Sequence, residues 1–273
     1  MSSSQRRSTM RVPPFFRRLF KFTSMDFETA VWEMTHLIIA PKKVFRNIYY
    51  HKQTKNSYHR ADPAFTYLLA LFLLLTGFAW GVAYAPGLGG TIRVTLVFVF
   101  VHFLGTCLAI STLMYFLVGR VLGKRRQGLF GPPIGGGGAE DALEFGYCFD
   151  VSIRAYLPIW TFLYVLQFLL MPLIAQDYRV SNFFGNTMYL MALSYYFVIT
   201  FLGYNGAIYL NIGPTPGTWL TNHVALPFLS RTEILLAPIP VLAILWLISL
   251  FTFDCATNLA PILWCGIKLR KPV

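Results

Sequence analysis

Carboxylates are scarce in this chain of 273 residues, which has 11 Asp and Glu against 23 Lys and Arg and a formal net charge of +12. All four charged residue types together make up only 12% of the chain, whereas 56% of the residues are hydrophobic. A soluble domain of this size does not need so much apolar surface. The composition therefore excludes an ordinary soluble fold and predicts an integral membrane protein.

Cysteine and catalytic motifs are sparse as well. Cys107, Cys148, Cys255 and Cys265 show no paired spacing, which disfavours a disulfide framework and favours small buried side chains. No apolar core precedes Phe15, so we expect no cleavable signal peptide. The sequence has no nucleophile elbow, no metal-like histidine spacing and no carboxylate at the centre of a span. We therefore expect no enzyme, no metal site and no cofactor.

The positive charge is concentrated before the first apolar segment. Of the 23 Lys and Arg residues, 12 precede Pro63, and a second cluster lies between Arg120 and Arg126. Clusters in alternate loops are typical of membrane orientation, with the basic side in the cytosol. No nucleic-acid-binding module accompanies them, which disfavours nucleic acid as the main partner.

Five apolar segments predict membrane-spanning helices, at about 65–84, 92–118, 152–175, 183–204 and 234–253. The predicted fold class is an all-α integral membrane protein with about five transmembrane helices, preceded by cytosolic amphipathic helices. The predicted regions of the chain are a disordered basic terminus over 1–14, a basic amphipathic region over 15–62, a membrane domain over 63–255 and a basic tail over 256–273. The membrane domain contains a Gly-rich cytosolic loop over 127–143. Five crossings would place this tail in the lumen, although its basic residues favour the cytosol.

The region before the first span predicts several short helices. In the first, Phe16 and Phe20 share one flank while Arg17, Arg18 and Lys21 share the other, a pattern typical of a helix lying among lipid headgroups. Farther on, an apolar residue recurs at helical spacing up to Pro41, at Phe27, Val31, Met34 and Ile38, and again after it.

Two interpretations of this region stay open. The helices either pack on the membrane domain and secure the orientation of the first span, or they form a cytosolic platform for a partner. The docking candidates are Asp26, Glu28, Trp32, Lys42, Lys43 and Arg46, together with Glu144 and Asp150 of an acidic segment that we expect to be a loop before the third span.

Ionisable and amide side chains inside spans are functional candidates by default. They are His102, Arg154, Asn186 and Asn205. Convergence of these residues on one cavity would favour a channel, a solute carrier or a lipid-handling protein. Contacts of each residue with a different neighbour would count against these three classes. For His102 alone, a hydrogen-bonded packing role is the expected one.

Four groups of residues carry a family resemblance. They are Phe16–Phe22 with Met25–Glu28, Tyr50–Lys55 with Asp62–Phe65, Glu144–Val151, and Gly185–Thr187 with Phe201–Tyr204. In order and spacing they resemble the Unc-50 family of Golgi and endoplasmic-reticulum membrane proteins over about Phe15 to Tyr209. The Gly131–Gly138 segment departs from the family's shorter loop, and the chain after Tyr209 looks less similar.

The resemblance implies five spans, a cytosolic N-terminus, a relation to Yip1-like membrane proteins and a place in the Golgi membrane, with the endoplasmic reticulum and nuclear membrane as alternatives. It also implies a role in vesicle-mediated protein transport, with Golgi lipids, an Arf guanine-nucleotide exchange factor and receptor cargo as partners. RNA binding is attributed to the family, but this sequence contains no RNA-binding module. We expect a non-enzymatic adaptor, with a channel, solute carrier or lipid-handling protein as the alternative.

Overall fold

The computed structural model of the chain describes residues 26–55, 63–117, 145–174, 179–204 and 235–252. These residues are almost all helical. Helices α1 and α2, Phe27–Ile39 and Pro41–Lys55, precede the apolar segments. The long apolar helices are α3 (Ala64–Tyr84), α4 (Gly87–Leu117), α5 (Phe145–Ile174) and α6 (Arg179–Tyr204), and α7 covers Pro238–Thr252.

Helices α1 and α2 begin where local chemistry favours a helix start. The Asp26 carboxylate accepts a hydrogen bond from the Thr29 backbone N–H at 3.0 Å, which satisfies one of the free donors of the first turn of α1. Proline suits the first position of a helix because its missing N–H would have no partner there, and Pro41 opens α2. The predicted break at Pro41 is confirmed.

Helices α3 and α4 form an antiparallel hairpin with a very short turn, as predicted. Only Ala85 and Pro86 lie between them, and Gly87 opens α4 with a φ of +72°, a conformation that glycine adopts without strain. The second span, predicted to begin at about residue 92, begins earlier, because residues 87–90 form the first turn of α4. A Cβ atom on Gly81 would lie 2.7 Å from the Thr91 Cα, so the two backbones are in close contact here.

Helix α5 corrects the expected acidic loop. Phe145 to Asp150 form the first turns of this continuous helix, so Asp150 is helical and the loop prediction is wrong there. Both α4 and α5 widen to i→i+5 hydrogen bonding, over Val97–Gly105 and Trp160–Leu166. The wide segment of α5 starts two residues after Pro158, whose ring removes a backbone donor from the helix.

Four helices in the described part of the chain are long and apolar enough to cross a membrane, namely α3, α4, α5 and the Val180–Tyr204 part of α6. The protein is therefore an all-α membrane protein. Helix α7 has 15 described residues, a length of about 22 Å, short of the roughly 30 Å hydrocarbon layer. It packs on α6, where the Asn186 amide donates to the Ser249 hydroxyl at 3.0 Å. A fifth span remains a prediction.

One hydrophobic core runs through the amino-terminal pair and the bundle. Leu37 of α1 and Val44 and Phe45 of α2 are buried in the same cluster as Leu69 of α3 and Phe98 of α4. Inside the bundle, the Trp80 indole N–H donates to the Tyr164 carbonyl at 2.9 Å and thereby links α3 to α5. Helices α1 and α2 are thus packed parts of the membrane domain, and they are not tethered to it by a linker alone.

Candidate functional site

An ion pair joins α1 to the membrane bundle. The Arg154 Nη2 atom of α5 lies 3.1 Å from the Glu33 Oε2 atom of α1 and donates a hydrogen bond to it. Each side chain is only 3% exposed. Ionised groups that leave water need a partner, since an unpaired buried charge is very unfavourable. The pair therefore fixes α1 at one position against α5.

Arg154 has a second carboxylate and an aromatic ring beside it. The Asp150 carboxylate, one helical turn earlier on α5 and 17% exposed, accepts a hydrogen bond from Arg154 Nη1. The Phe65 ring of α3 has its centroid 5.5 Å from the Arg154 Cζ atom, within cation–π range. One guanidinium thus contacts α1, α3 and its own helix, and we call Glu33, Asp150 and Arg154 the Arg154 junction.

Glu33 was missed among the sequence candidates, although the sequence contains a signal for it. Of the predicted apolar stripe Phe27, Val31, Met34 and Ile38, Met34 alone is buried. The buried face of α1 consists of Ala30, Glu33, Met34 and Leu37. Glu33 is the charged member of a second apolar face at helical spacing. An arginine near the start of a span often pairs with a carboxylate, which is the signal that points to Glu33.

The other end of α1 is held by α6. The Tyr195 hydroxyl lies 3.1 Å from the Leu37 carbonyl and 2.8 Å from the Ile38 carbonyl, and its single proton is shared between them. On α2, the Phe45 ring packs beside Gly203 of α6, where an added Cβ would lie 3.4 Å from it. Glycine at 203 leaves the space that Val151 and Phe45 occupy.

Helices α1 and α2 also carry a partly exposed aromatic and cationic cluster, in which Trp32 packs against the edge of the core. The Trp32 and His36 rings stack with centroids 4.2 Å apart, and the Lys43 Nζ atom lies 5.4 Å from the Trp32 centroid. His36 Nδ1 donates to the Trp32 carbonyl at 2.9 Å, so its Nε2 is free to accept from Lys43 at 3.3 Å. Glu28 is exposed one turn before Trp32. We call Glu28, Trp32, His36 and Lys43 the Trp32 surface.

The other docking candidates have different surroundings. Lys42 and Arg46 are exposed on α2, whereas Asp26 caps α1 and Asp150 belongs to the Arg154 junction. Glu144 lies outside the described residues, and so do the predicted membrane-surface residues Phe16, Arg17, Arg18, Phe20 and Lys21.

The intramembrane polar candidates bind different partners. His102 Nδ1 accepts from the Tyr164 hydroxyl at 2.7 Å, and Tyr156 donates to the same hydroxyl oxygen at 3.1 Å. Arg154 pairs with Glu33 and Asp150, and Asn186 donates to Ser249, while Asn205 lies outside the described residues. Such contacts tie neighbouring helices together. They weigh against a single polar pathway and thus against the channel or carrier alternative.

Neither a metal site nor a disulfide is present among the described residues. Within the described ranges, no group of three or more His, Cys, Asp or Glu residues is arranged to hold a metal ion. Cys107 and Cys148 are free and buried, as expected for small packing side chains. The Cys107 thiol lies 3.7 Å from the Ser152 carbonyl, a weak contact between α4 and α5.

A family model describes most of this chain. The model of the UNC-50 family matches residues 15–211 and 219–264. The first range contains the motifs that carried the sequence resemblance. The second range corrects the impression that the resemblance fades after Tyr209, because it includes α7 and part of the basic tail.

Several curated proteins are similar over most of their length. Protein unc-50 homolog A of Xenopus laevis is 37% identical over 237 residues, covering 86% of this chain and 80% of the relative. The human protein unc-50 homolog is 36% identical with the same coverage, and the protein GMH1 homolog of Schizosaccharomyces pombe is 35% identical, covering 87% of this chain and 90% of the relative. No solved structure matches the chain.

Proposed function

The chain belongs to the UNC-50 family, and from this membership we propose that it is a non-enzymatic Golgi membrane protein of vesicle-mediated protein transport. In this proposal it acts as an adaptor that recruits or positions an Arf guanine-nucleotide exchange factor and supports the surface delivery of receptors. The observation that carries the adaptor role is the buried Glu33–Arg154 pair, which holds the amino-terminal helices rigidly on the bundle.

Rigidity supports an adaptor because binding to a preorganised surface loses less conformational entropy. Separating α1 from α5 would leave Arg154 paired with Asp150 alone, and the Glu33 carboxylate would lose its cation. The shared Tyr195 hydrogen bonds oppose the same movement at the end of α1. A partner bound to α1 and α2 would therefore stay at a fixed distance from the membrane.

The Trp32 surface is the docking site that we propose. Tryptophan is enriched among the residues that dominate binding energy at protein interfaces, because a large ring becomes buried while its N–H finds a partner. Trp32 is half-buried and held in place by His36 and Lys43, so little side-chain freedom is lost when it is covered. Glu28 and Lys43 add one negative and one positive charge, which would orient the bound partner.

The cytosolic position of this surface rests on the positive-inside rule. The basic residues before the first span favour the cytosol for the chain's start. In the same proposal, Arg17, Arg18 and Lys21 hold the preceding segment on anionic lipid.

Affinity purification of the full-length protein in mild detergent, with quantitative mass spectrometry, tests the adaptor role. We expect the wild type to bring down an Arf exchange factor in near-stoichiometric amount. The variant Glu28→Lys/Lys43→Glu should lose it while it still reaches the Golgi. This double variant keeps the net charge unchanged, so membrane orientation and general attraction to lipid are controlled.

The other possible results of the affinity purification distinguish between the remaining hypotheses. If the wild type is recovered alone, the adaptor role is wrong. Retention of the partner by the double variant would move the contact away from the Trp32 surface. The triple change of Arg17, Arg18 and Lys21 to Glu should weaken recruitment while insertion persists, whereas loss of insertion would limit these residues to orienting the chain.

A further inference from the structure

One edge of α1 is apolar and exposed although the helix precedes the spans. Phe27, Val31 and Ile38 are 40%, 51% and 41% exposed, and their spacing places them along a single line of the helix. The adjacent face, with Glu33 and Leu37, is buried against the bundle. Exposing such an edge to water is unfavourable in proportion to its apolar area, so another apolar phase should cover it.

The Arg154 junction fixes the height of α1 relative to the membrane. Phe65, which packs on Arg154, is the second residue of α3. Helix α3 has 21 residues and is about 32 Å long, close to the roughly 30 Å hydrocarbon layer. The first turn of α3 therefore marks the edge of that layer. Glu33, bound to the same arginine, holds the middle of α1 at this edge.

The end of α1 lies deeper than its middle. Gly203 of α6 is beside Val151 of α5, less than one turn from Arg154. Tyr195, which binds the Leu37 and Ile38 carbonyls, is eight residues before Gly203 and so about 12 Å farther into the bundle along α6. The helix is therefore tilted into the layer. Helix α1 packs against α3, whose Leu71 and Leu75 are exposed as well.

The charge of α2 agrees with the same environment. Its sequence contains five basic residues and no acidic one, and Lys42, Lys43 and Arg46 are exposed at its start. Basic side chains beside a half-inserted apolar edge are the pattern of a helix in the interface of an anionic leaflet.

We infer that the Phe27–Val31–Ile38 edge of α1 is inserted among the acyl chains of the leaflet in which α3 begins, with anionic headgroups against α2. The occupant of this edge is lipid. The remaining face of α1, which bears the Trp32 surface, stays outside the acyl-chain region. The inference does not depend on any protein partner, so it can fail while the adaptor role holds, and the reverse.

Depth-dependent quenching in nanodiscs tests this inference on the purified full-length protein. An introduced cysteine, Val31→Cys or Ile38→Cys, would carry nitrobenzoxadiazole in a chain with Cys255 and Cys265 changed to serine, in which the buried Cys107 and Cys148 stay unlabelled. Phosphatidylcholine with a nitroxide on its acyl chain is the quencher. We expect loss of most of the fluorescence at both positions. The matched control, Glu28→Cys on the same helix, should lose little.

A second experiment tests the proposed contact between α2 and anionic headgroups. Adding phosphatidylserine to the discs should increase quenching at Val31→Cys, and changing Arg46, Lys52 and Lys55 to Gln should remove this increase. No response to phosphatidylserine would overturn the proposed headgroup contact.

Two outcomes would overturn lipid as the occupant. Equally weak quenching at Val31→Cys and Glu28→Cys, without cross-linking between chains, would mean that water surrounds the edge. Weak quenching combined with disulfide cross-linking between two unlabelled Val31→Cys chains would mean that a second copy covers it. A Phe27→Ser variant, which removes a ring from the exposed edge without touching the buried face, should reduce quenching at Ile38→Cys in a chain that still folds.

Discussion

Arg154 concentrates the main electrostatic interaction between α1 and the membrane bundle. Its guanidinium contacts Glu33 and Asp150, and both Glu33 and Arg154 are almost fully buried. A buried ion pair adds little net stability relative to a well-packed apolar pair, but removing one member leaves an uncompensated charge. The junction therefore specifies where α1 docks more than how stable the whole protein is.

Replacing the arginine should be strongly destabilising. In Arg154→Met, Glu33 remains buried without a cation, and we expect a loss of about 3–5 kcal/mol. Glu33→Gln should lose less, because Arg154 keeps Asp150 and the amide oxygen can still accept a hydrogen bond. The midpoint of thermal unfolding in detergent, followed by intrinsic fluorescence, measures both changes.

The double variant Glu33→Gln/Arg154→Met provides the control for charge. It should be more stable than Arg154→Met alone, since no charged Glu33 is left in the core. Equal midpoints for the single and double variants would show that the loss comes from packing of the arginine and not from the stranded carboxylate.

At the scale of elements, glycines and single hydrogen bonds determine how closely the helices approach. Gly81 lets α3 and α4 touch at Thr91, and Gly203 lets α6 approach Val151 of α5. Tyr195 joins α6 to the end of α1. These contacts set the positions of whole helices, so changes there should act through displacement of an element.

Substitution of Gly81 should separate α3 from α4. The added methyl of Gly81→Ala would lie 2.6 Å from Thr91 Cγ2 and 2.7 Å from its Cα, and overpacking of this kind costs about 1–3 kcal/mol. Gly89→Ala is the matched control, because nothing lies within 4 Å of its added Cβ. Unfolding midpoints should fall for the first variant and stay unchanged or rise for the second.

Loss of the Tyr195 hydroxyl should loosen the end of α1 locally. Tyr195→Phe removes the proton shared by the Leu37 and Ile38 carbonyls, worth about 1 kcal/mol for a typical hydrogen bond. We expect faster amide hydrogen exchange at the junction of α1 and α2, and little change in α3 or α4. Tyr115→Phe, which alters a more exposed tyrosine on α4, is the control. Equal exchange in both variants would contradict the anchoring role of Tyr195.

At the scale of the whole molecule, orientation is the property that connects the charge distribution to function. The α3–α4 turn and the amino-terminal helices lie at opposite ends of α3, which is long enough to cross the layer. The proposed cytosolic N-terminus thus predicts a lumenal turn. A test of this prediction therefore has to label a residue on each face of the membrane.

Cysteine accessibility in sealed membrane vesicles of known orientation measures this property. With Cys255 and Cys265 changed to serine, Glu28→Cys should react with a membrane-impermeant maleimide in intact vesicles. Leu88→Cys, at a position 77% exposed beside the α3–α4 turn, should react only after permeabilisation. The buried Cys107 and Cys148 should stay unlabelled. The opposite pattern would reverse the proposed topology and remove the cytosolic docking surface.

Local features of the sequence are enough to predict the membrane class, the four long apolar helices, the break at Pro41 and the short α3–α4 turn. These features follow from local properties, namely the length of apolar runs and the backbone restrictions of proline and glycine. The family could also be recognised, because its motifs are short runs in a fixed order.

The tertiary structure alone decided which face of α1 is buried and which charges meet. Helix α1 has two adjacent apolar faces, so periodicity could not choose between the Phe27–Val31–Ile38 edge and the face that contains Glu33. Glu33 and Arg154 are 121 residues apart, and their pairing depends on α1 lying between α3 and α5. Asp150 is different, because it lies one turn before Arg154 on α5 and pairs with it locally once the helix begins at Phe145. The Glu33–Arg154 pair needs the tertiary fold, since a buried charge is tolerated only where folding brings an opposite charge beside it.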